Sequence, residues 1–203
     1  MTKNNRYSNT AYLALCGLFA ALTALCSYIN IPLGFTPVPM NLATLSVFLA
    51  GGLLGMKYGT LSMAVYVLMG AAGIPVFAGF QAGIGILAGP TGGFLAGYIL
   101  AAFIVGMFLQ KSTIQKGTMQ RDSSGDMQTS SAAKRGGEIA LCMAAMFIGL
   151  AACYFMGTVW FMVSTNTGFV PALIACVLPF IPGDVIKIVI ATLLIRRLRP
   201  VIW

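Results

Sequence analysis

Long apolar runs dominate this chain, separated by short clusters of glycine, proline and basic residues. A bilayer-spanning helix needs about 20 predominantly apolar residues. Six stretches meet that test: Thr10–Tyr28, Pro39–Gly55, Thr60–Phe77, Gly92–Leu109, Ile139–Val163 and Phe169–Ile195. The second is short unless it begins at Pro39. A proline fits the first helical turn, where its missing N–H has no helical partner to lose. Open sheets cannot satisfy their edges in lipid, so the spans are expected to be helices. The pattern predicts an all-α membrane protein with six transmembrane helices.

Composition supports lipid as the main solvent. Of 203 residues, 59% are hydrophobic and 8% are charged, against about 45–50% and about 25% in soluble domains. The first run lacks a small-residue cleavage site and is followed by further apolar runs, so it is expected to be retained. The length suits a single membrane domain and leaves no room for a second.

Charge then orients the spans. Lys3 and Arg6 precede the first, and Lys57 follows the second. Lys111, Lys116, Arg121, Lys134 and Arg135 lie between the fourth and fifth, and Arg196, Arg197 and Arg199 follow the sixth. All of these fall on one side of a six-span arrangement. The opposite connections, Ile29–Val38, Ala78–Thr91 and Ser164–Gly168, contain no basic residue. The positive-inside rule makes the basic side cytoplasmic and puts both termini there, in a multi-pass protein of the cell membrane. The net charge of +8 thus reflects topology. A basic stripe interleaved with aromatics is absent, which argues against nucleic acid. The polar stretch at about 110–137 reads as a flexible cytoplasmic linker.

Candidate chemistry is sparse. The chain has no histidine, and its five cysteines sit in apolar runs without metal-ligand spacing, so no metal site is expected. Three of the four acids lie in or beside the linker. The fourth, Asp184, follows Pro179-Phe-Ile-Pro-Gly183 inside the last span and precedes Lys187. Residues i and i+3 share a helix face. Counting inward to Arg196 places Lys187 ~13 Å and Asp184 ~18 Å above the inner interface at about 1.5 Å per residue. Ionisable groups at that depth are costly and mark function by default. Helices broken near the midplane recur in transporter binding sites. The competing reading is a structural ion pair, with Asp184 capping the inner half-helix.

Two of the charge-free connections are also unusual. Ile31–Pro39 carries three prolines, and Ala78–Gly93 is rich in glycine. Apolar loops of this kind are expected to fold over a cavity. The glycine stretch lacks the Gly-Lys-Ser/Thr of a phosphate cradle. Any ATP-driven step therefore belongs to separate subunits. Small residues Gly17, Ala20, Ala21 and Ala24 allow close helix approach, within the molecule or against a partner. Trp160 fits an aromatic belt.

Enzyme readings are weak. An intramembrane aspartyl dyad needs a second carboxylate, and a Ser/His mechanism needs a histidine. An intramembrane hydrolase using Lys187 as base is the remaining alternative, without an obvious serine partner. A channel would want a continuous polar lining.

Five ordered blocks, Thr36-Pro-Val-Pro39, Leu49-Ala-Gly-Gly-Leu-Leu-Gly55, Gly73-Ile-Pro-Val-Phe-Ala-Gly79, Gly89-Pro-Thr-Gly-Gly93 and Leu178-Pro-Phe-Ile-Pro-Gly-Asp-Val-Ile-Lys187, resemble the BioY family. Its members are biotin-specific substrate-binding (S) components of energy-coupling factor (ECF) vitamin transporters. The resemblance runs through nearly the whole chain, although the linker is longer than it leads one to expect. It implies a six-helix S-component fold, with outer loops 1 and 3 forming lids over an outward-facing pocket for biotin. It implies no cofactor. The implied partners are a transmembrane coupling protein and two cytoplasmic ATPase subunits, with Gly17, Ala20, Ala21 and Ala24 as the candidate docking face. For such a ligand Asp184 can accept from ureido N–H groups, and Lys187 can donate to the ligand or hold Asp184 ionised. Tyr28, Phe35, Phe77 and Phe80 are candidates to close on the rings, and Asn41 and Gln81 to complete the polar contacts.

Overall fold

The computed structural model describes residues 9–34, 36–119 and 131–202. Helices account for most of them: α1 (Asn9–Tyr28), α2 (Ala43–Ala71), a short α3 (Ile84–Ala88), α4 (Gly92–Met119), α5 (Ser131–Thr165), α6 (Phe169–Cys176) and α7 (Ile181–Ile202). A two-residue ribbon, β1 (Asn30–Ile31) with β2 (Met40–Asn41), pairs antiparallel between α1 and α2.

By length and apolarity, α1, α2, α4 and α5 can each cross a membrane among the described residues. The α6–α7 pair, bent by 48°, counts as a fifth span if taken together. The bend falls at the Pro-Phe-Ile-Pro-Gly run, as the sequence predicts.

Gly55 explains why α2 is not one straight rod. Its φ of 78° and ψ of −174° break the helix inside the element, in a region that only glycine enters at little cost. The two arms then lie side by side. Thr23 Oγ1 meets Ser46 Oγ at 2.9 Å on one arm and Met63 Sδ at 3.9 Å on the other. On a straight helix those two positions would be about 25 Å apart.

The outer ends of both arms correct the sequence-based limits. Pro39 is not in a helical turn, because the chain around it is held in the β-ribbon, with Met40 opposite Ile31. The helix starts at Ala43, whose N–H donates to Asn41 Oδ1 at 3.1 Å. The second arm ends at Ala71 rather than Phe77. Gly73 takes a φ of 98°, and Pro75 cannot continue a helix. The supposed linker is also shorter as irregular chain: α4 runs to Met119 and α5 begins at Ser131. Residues 120–130 lie outside the described residues.

Close approach of backbones packs the bundle. A Cβ at Gly106 would sit 2.5 Å from Met56 N, and one at Gly97 would sit 2.8 Å from Cys153 Sγ. Of the small residues of α1, Ala20 and Ala24 are buried in the molecule's own core. They cannot belong to a docking face, since residues four apart share a helix side. Gly17 and Ala21 face outwards with Leu18 and Leu25. Large apolar side chains such as Phe155, Val163, Ile186 and Leu193 are likewise exposed, as expected where lipid is the solvent.

The Gly55 turn, Leu109 and Arg199 gather at one end, where Arg199 donates to Leu109 O at 2.7 Å and Gly106 packs against Gly55. The ribbon, the segment from Ala72 to Thr91 and the broken end of α7 gather at the other.

Candidate ligand site

Asp184 stands in the first turn of α7, just beyond the bend. Lys187 follows one turn later, with Nζ 2.7 Å from Asp184 Oδ1. Both residues are buried, at 2% and 6% exposure. A charge so placed is costly unless its partners are close and its remaining hydrogen-bond sites are filled. Here other elements fill them. Thr44, at the start of α2, donates to Asp184 Oδ1 at 3.1 Å and accepts from Lys187 Nζ at 3.1 Å. The carbonyl oxygen of Asn41 accepts from Lys187, and Tyr154 of α5 donates to Asp184 Oδ2. Tyr98 of α4 donates to Asn41 Oδ1 at 3.5 Å.

The network forms the floor of a cavity of ≈ 260 Å³, a size for one compact ligand. Thr36, Pro37 and Pro39 line it from the first loop, and Phe77, Gly79 and Gln81 line it from the segment after α2. Phe94, Leu95 and Phe180 supply apolar wall.

Aromatic contacts fix the second loop. The Phe77 ring lies directly on Gly70, where an added Cβ would collide with it. It also meets Tyr66 edge-on, with centroids 5.7 Å apart. Gly83 N–H donates to Gly70 O at 2.7 Å, and Trp160 Nε1 donates to Gly89 O at 3.0 Å. Trp160 therefore does more than fill an aromatic belt.

Among the residues expected from sequence, Asp184, Lys187, Asn41, Gln81 and Phe77 all line the cavity. Tyr28 and Phe80 do not. They stack on each other outside it, with centroids 4.2 Å apart, and Tyr28 donates to Pro75 O at 2.7 Å. Phe80 has a φ of 59° and is 66% exposed; this left-handed backbone turns its ring away from the cavity. Phe35 lies outside the described residues. Lys187 Nζ donates to Asn41 O, Thr44 Oγ1 and Asp184 Oδ1, none of them a serine, so nothing here supports the hydrolase reading.

Sequence reasoning missed Thr44, Tyr98 and Tyr154. The available signal was the phenol itself, since a tyrosine hydroxyl in the middle of an apolar helix must find a partner.

These features define a multi-pass helical membrane protein built around a small-molecule cavity with an ion pair in its floor. The chain belongs to the BioY family, whose model matches residues 1–202. It is 54% identical over 83 residues to a biotin transporter BioY of Thermotoga maritima, an alignment covering 41% of this chain and 48% of that protein. A biotin transporter BioY of Rhizobium etli is 37% identical over 189 residues, covering 93% of this chain and 92% of the relative. Among solved structures, the S-component for biotin from an ECF-type ABC transporter superposes with a TM-score of 0.78. The two are 29% identical, and the match covers 98% of this chain and 95% of that one.

Proposed function

We propose that this protein binds biotin with high affinity and serves its uptake across the cell membrane as the substrate-specific subunit of an ECF-type vitamin transporter. The observation that carries this reading is the hydrogen-bonding character of the cavity floor. Asp184 is fixed by Lys187, Thr44 and Tyr154. A carboxylate has about four acceptor positions, so Oδ2 keeps one for a ureido N–H. The phenol oxygens of Tyr98 and Tyr154 retain lone pairs for the other. Asn41 Oδ1 is committed to Ala43 N–H and Tyr98, which turns its Nδ2 donors towards a ureido carbonyl. Lys187 serves here to hold Asp184 in place.

The two arms of α2 count as separate spans, giving six with the α6–α7 pair. The basic end, with Lys57 and Arg199, faces the cytoplasm, as do both termini. The loops at 29–42 and 72–91 act as lids over an outward-facing pocket. The connection between the ends of α4 and α5, inside the stretch at about 110–137, ties the first four spans to the last two as a linker. The protein is a transporter subunit and not an enzyme. A transmembrane coupling protein and two cytoplasmic ATPases supply the energy, with Gly17 and Ala21 left as the docking part of α1.

Equilibrium binding of labelled biotin to the purified, detergent-solubilised chain tests the reading, with thiamine and riboflavin as competitors. Displacement by unlabelled biotin alone is expected. Absence of binding by a folded sample, or equal displacement by the other vitamins, would refute it.

A further inference from the structure

We propose that the pocket recognises its ligand through the urea end and leaves the carboxylate tail without a cationic partner at the mouth, so that biotin derivatives with an amide tail belong to the same ligand class. This rests on the biotin reading above. Lys187 is the one cation among the residues lining the cavity. An ammonium has three donors, and those of Lys187 go to Asn41 O, Thr44 Oγ1 and Asp184 Oδ1. Turning it to a ligand carboxylate would leave Asp184 unpaired at 2% exposure.

Among the described side chains, no other basic residue lines the cavity. Lys57, Arg196, Arg197 and Arg199 lie at the end of the bundle away from the cavity. The rest of the sequence's lysines and arginines precede α1 or fall between positions 111 and 135. A carboxylate at the floor would also meet Asp184, a like charge a few ångströms away. The hydroxyl hydrogens there are already directed at protein acceptors, those of Thr44 and Tyr154 at Asp184 and that of Tyr98 at Asn41. The tail therefore points away from the floor.

At the loop end the polar lining is neutral: Asn30, Thr91 and Gln81. Gln81 is exposed and Asn30 half-buried, which marks this side as the mouth. Neutral amide groups serve a carboxylate and a carboxamide alike, and the exposed edge leaves space for a longer tail.

Competition against labelled biotin on the purified chain tests the proposal, using unlabelled biotin, biotin carboxamide and the ε-lysine amide of biotin. Both amides are expected to bind within about tenfold of biotin, since no charge-assisted pair is lost. Gln81→Lys, which brings a cation to the mouth without touching the floor, should then favour biotin over its carboxamide. An amide weaker than biotin by more than about tenfold overturns the proposal while the biotin reading stands. A label that unlabelled biotin fails to displace removes the biotin reading, and this proposal with it.

Discussion

Lys187→Met removes the ammonium but keeps most of the side chain's volume. Asp184 would then face its surroundings with only Thr44 and Tyr154, and the Asn41 carbonyl would lose its donor. Breaking a buried ion pair by deleting one partner costs about 3–5 kcal/mol. The cavity beside Asp184 lets water reach the carboxylate, so the low end, about 3 kcal/mol, is the expected loss. The double variant Asp184→Asn/Lys187→Met has no buried charge, and the new amide can accept from Tyr154 through its oxygen and donate to Thr44 Oγ1 through its nitrogen; about 1 kcal/mol is expected there. With Asp184→Asn alone costing a further few kcal/mol, the cycle should show a coupling of at least about 2 kcal/mol. Denaturant unfolding of the ligand-free protein in detergent measures each corner. Effects that add to within about 0.5 kcal/mol would mean that the two side chains do not depend on each other, and the account of the floor would fall.

Three further outcomes follow from the geometry. Tyr154→Phe deletes the donor to Asp184 Oδ2 while keeping the ring, and should weaken biotin by roughly tenfold, as for a hydrogen bond to a charged group; equilibrium binding reads it, and an unchanged affinity would exclude the phenol from the site. Gly70→Ala forces Phe77 off the helix surface, so labelled biotin should dissociate at least about tenfold faster, measured by dilution and chase. In a cysteine-free background, Gln81→Cys should react with a membrane-impermeant thiol reagent on intact cells, and Lys57→Cys only after permeabilisation; the reverse pattern would invert the topology.

The charge pattern made the bundle's two ends legible before any coordinates. Lys57 belongs to the Gly55 turn and Arg199 joins Leu109 at that same end. Asp184 and Lys187 were legible for a related reason: two opposite charges one turn apart in an apolar, proline-broken run have few explanations in lipid. Their partners were not. Which faces of α4 and α5 turn towards α7 depends on helix rotation, and hydropathy carries little phase information when most sides of a helix are apolar. The same ambiguity misplaced Ala20 and Ala24, because α1 carries small residues on two sides. Pro39 misled through a local rule, its tolerance in a first helical turn, that the pairing of Met40 with Ile31 overrides. Phe80 misled because aromaticity says nothing about a left-handed backbone that turns the ring outwards.

The outer end of α1 holds both loops at once. Cys26 O accepts from Leu42 N–H where the first loop returns to α2, at 3.2 Å, while Tyr28 grips Pro75 and Phe80 of the second. The two segments are thus tied to the same end of one helix. On the lid reading proposed above, their opening is expected to be one cooperative event, so that a bound ligand would escape at the frequency of that event rather than through either flap alone.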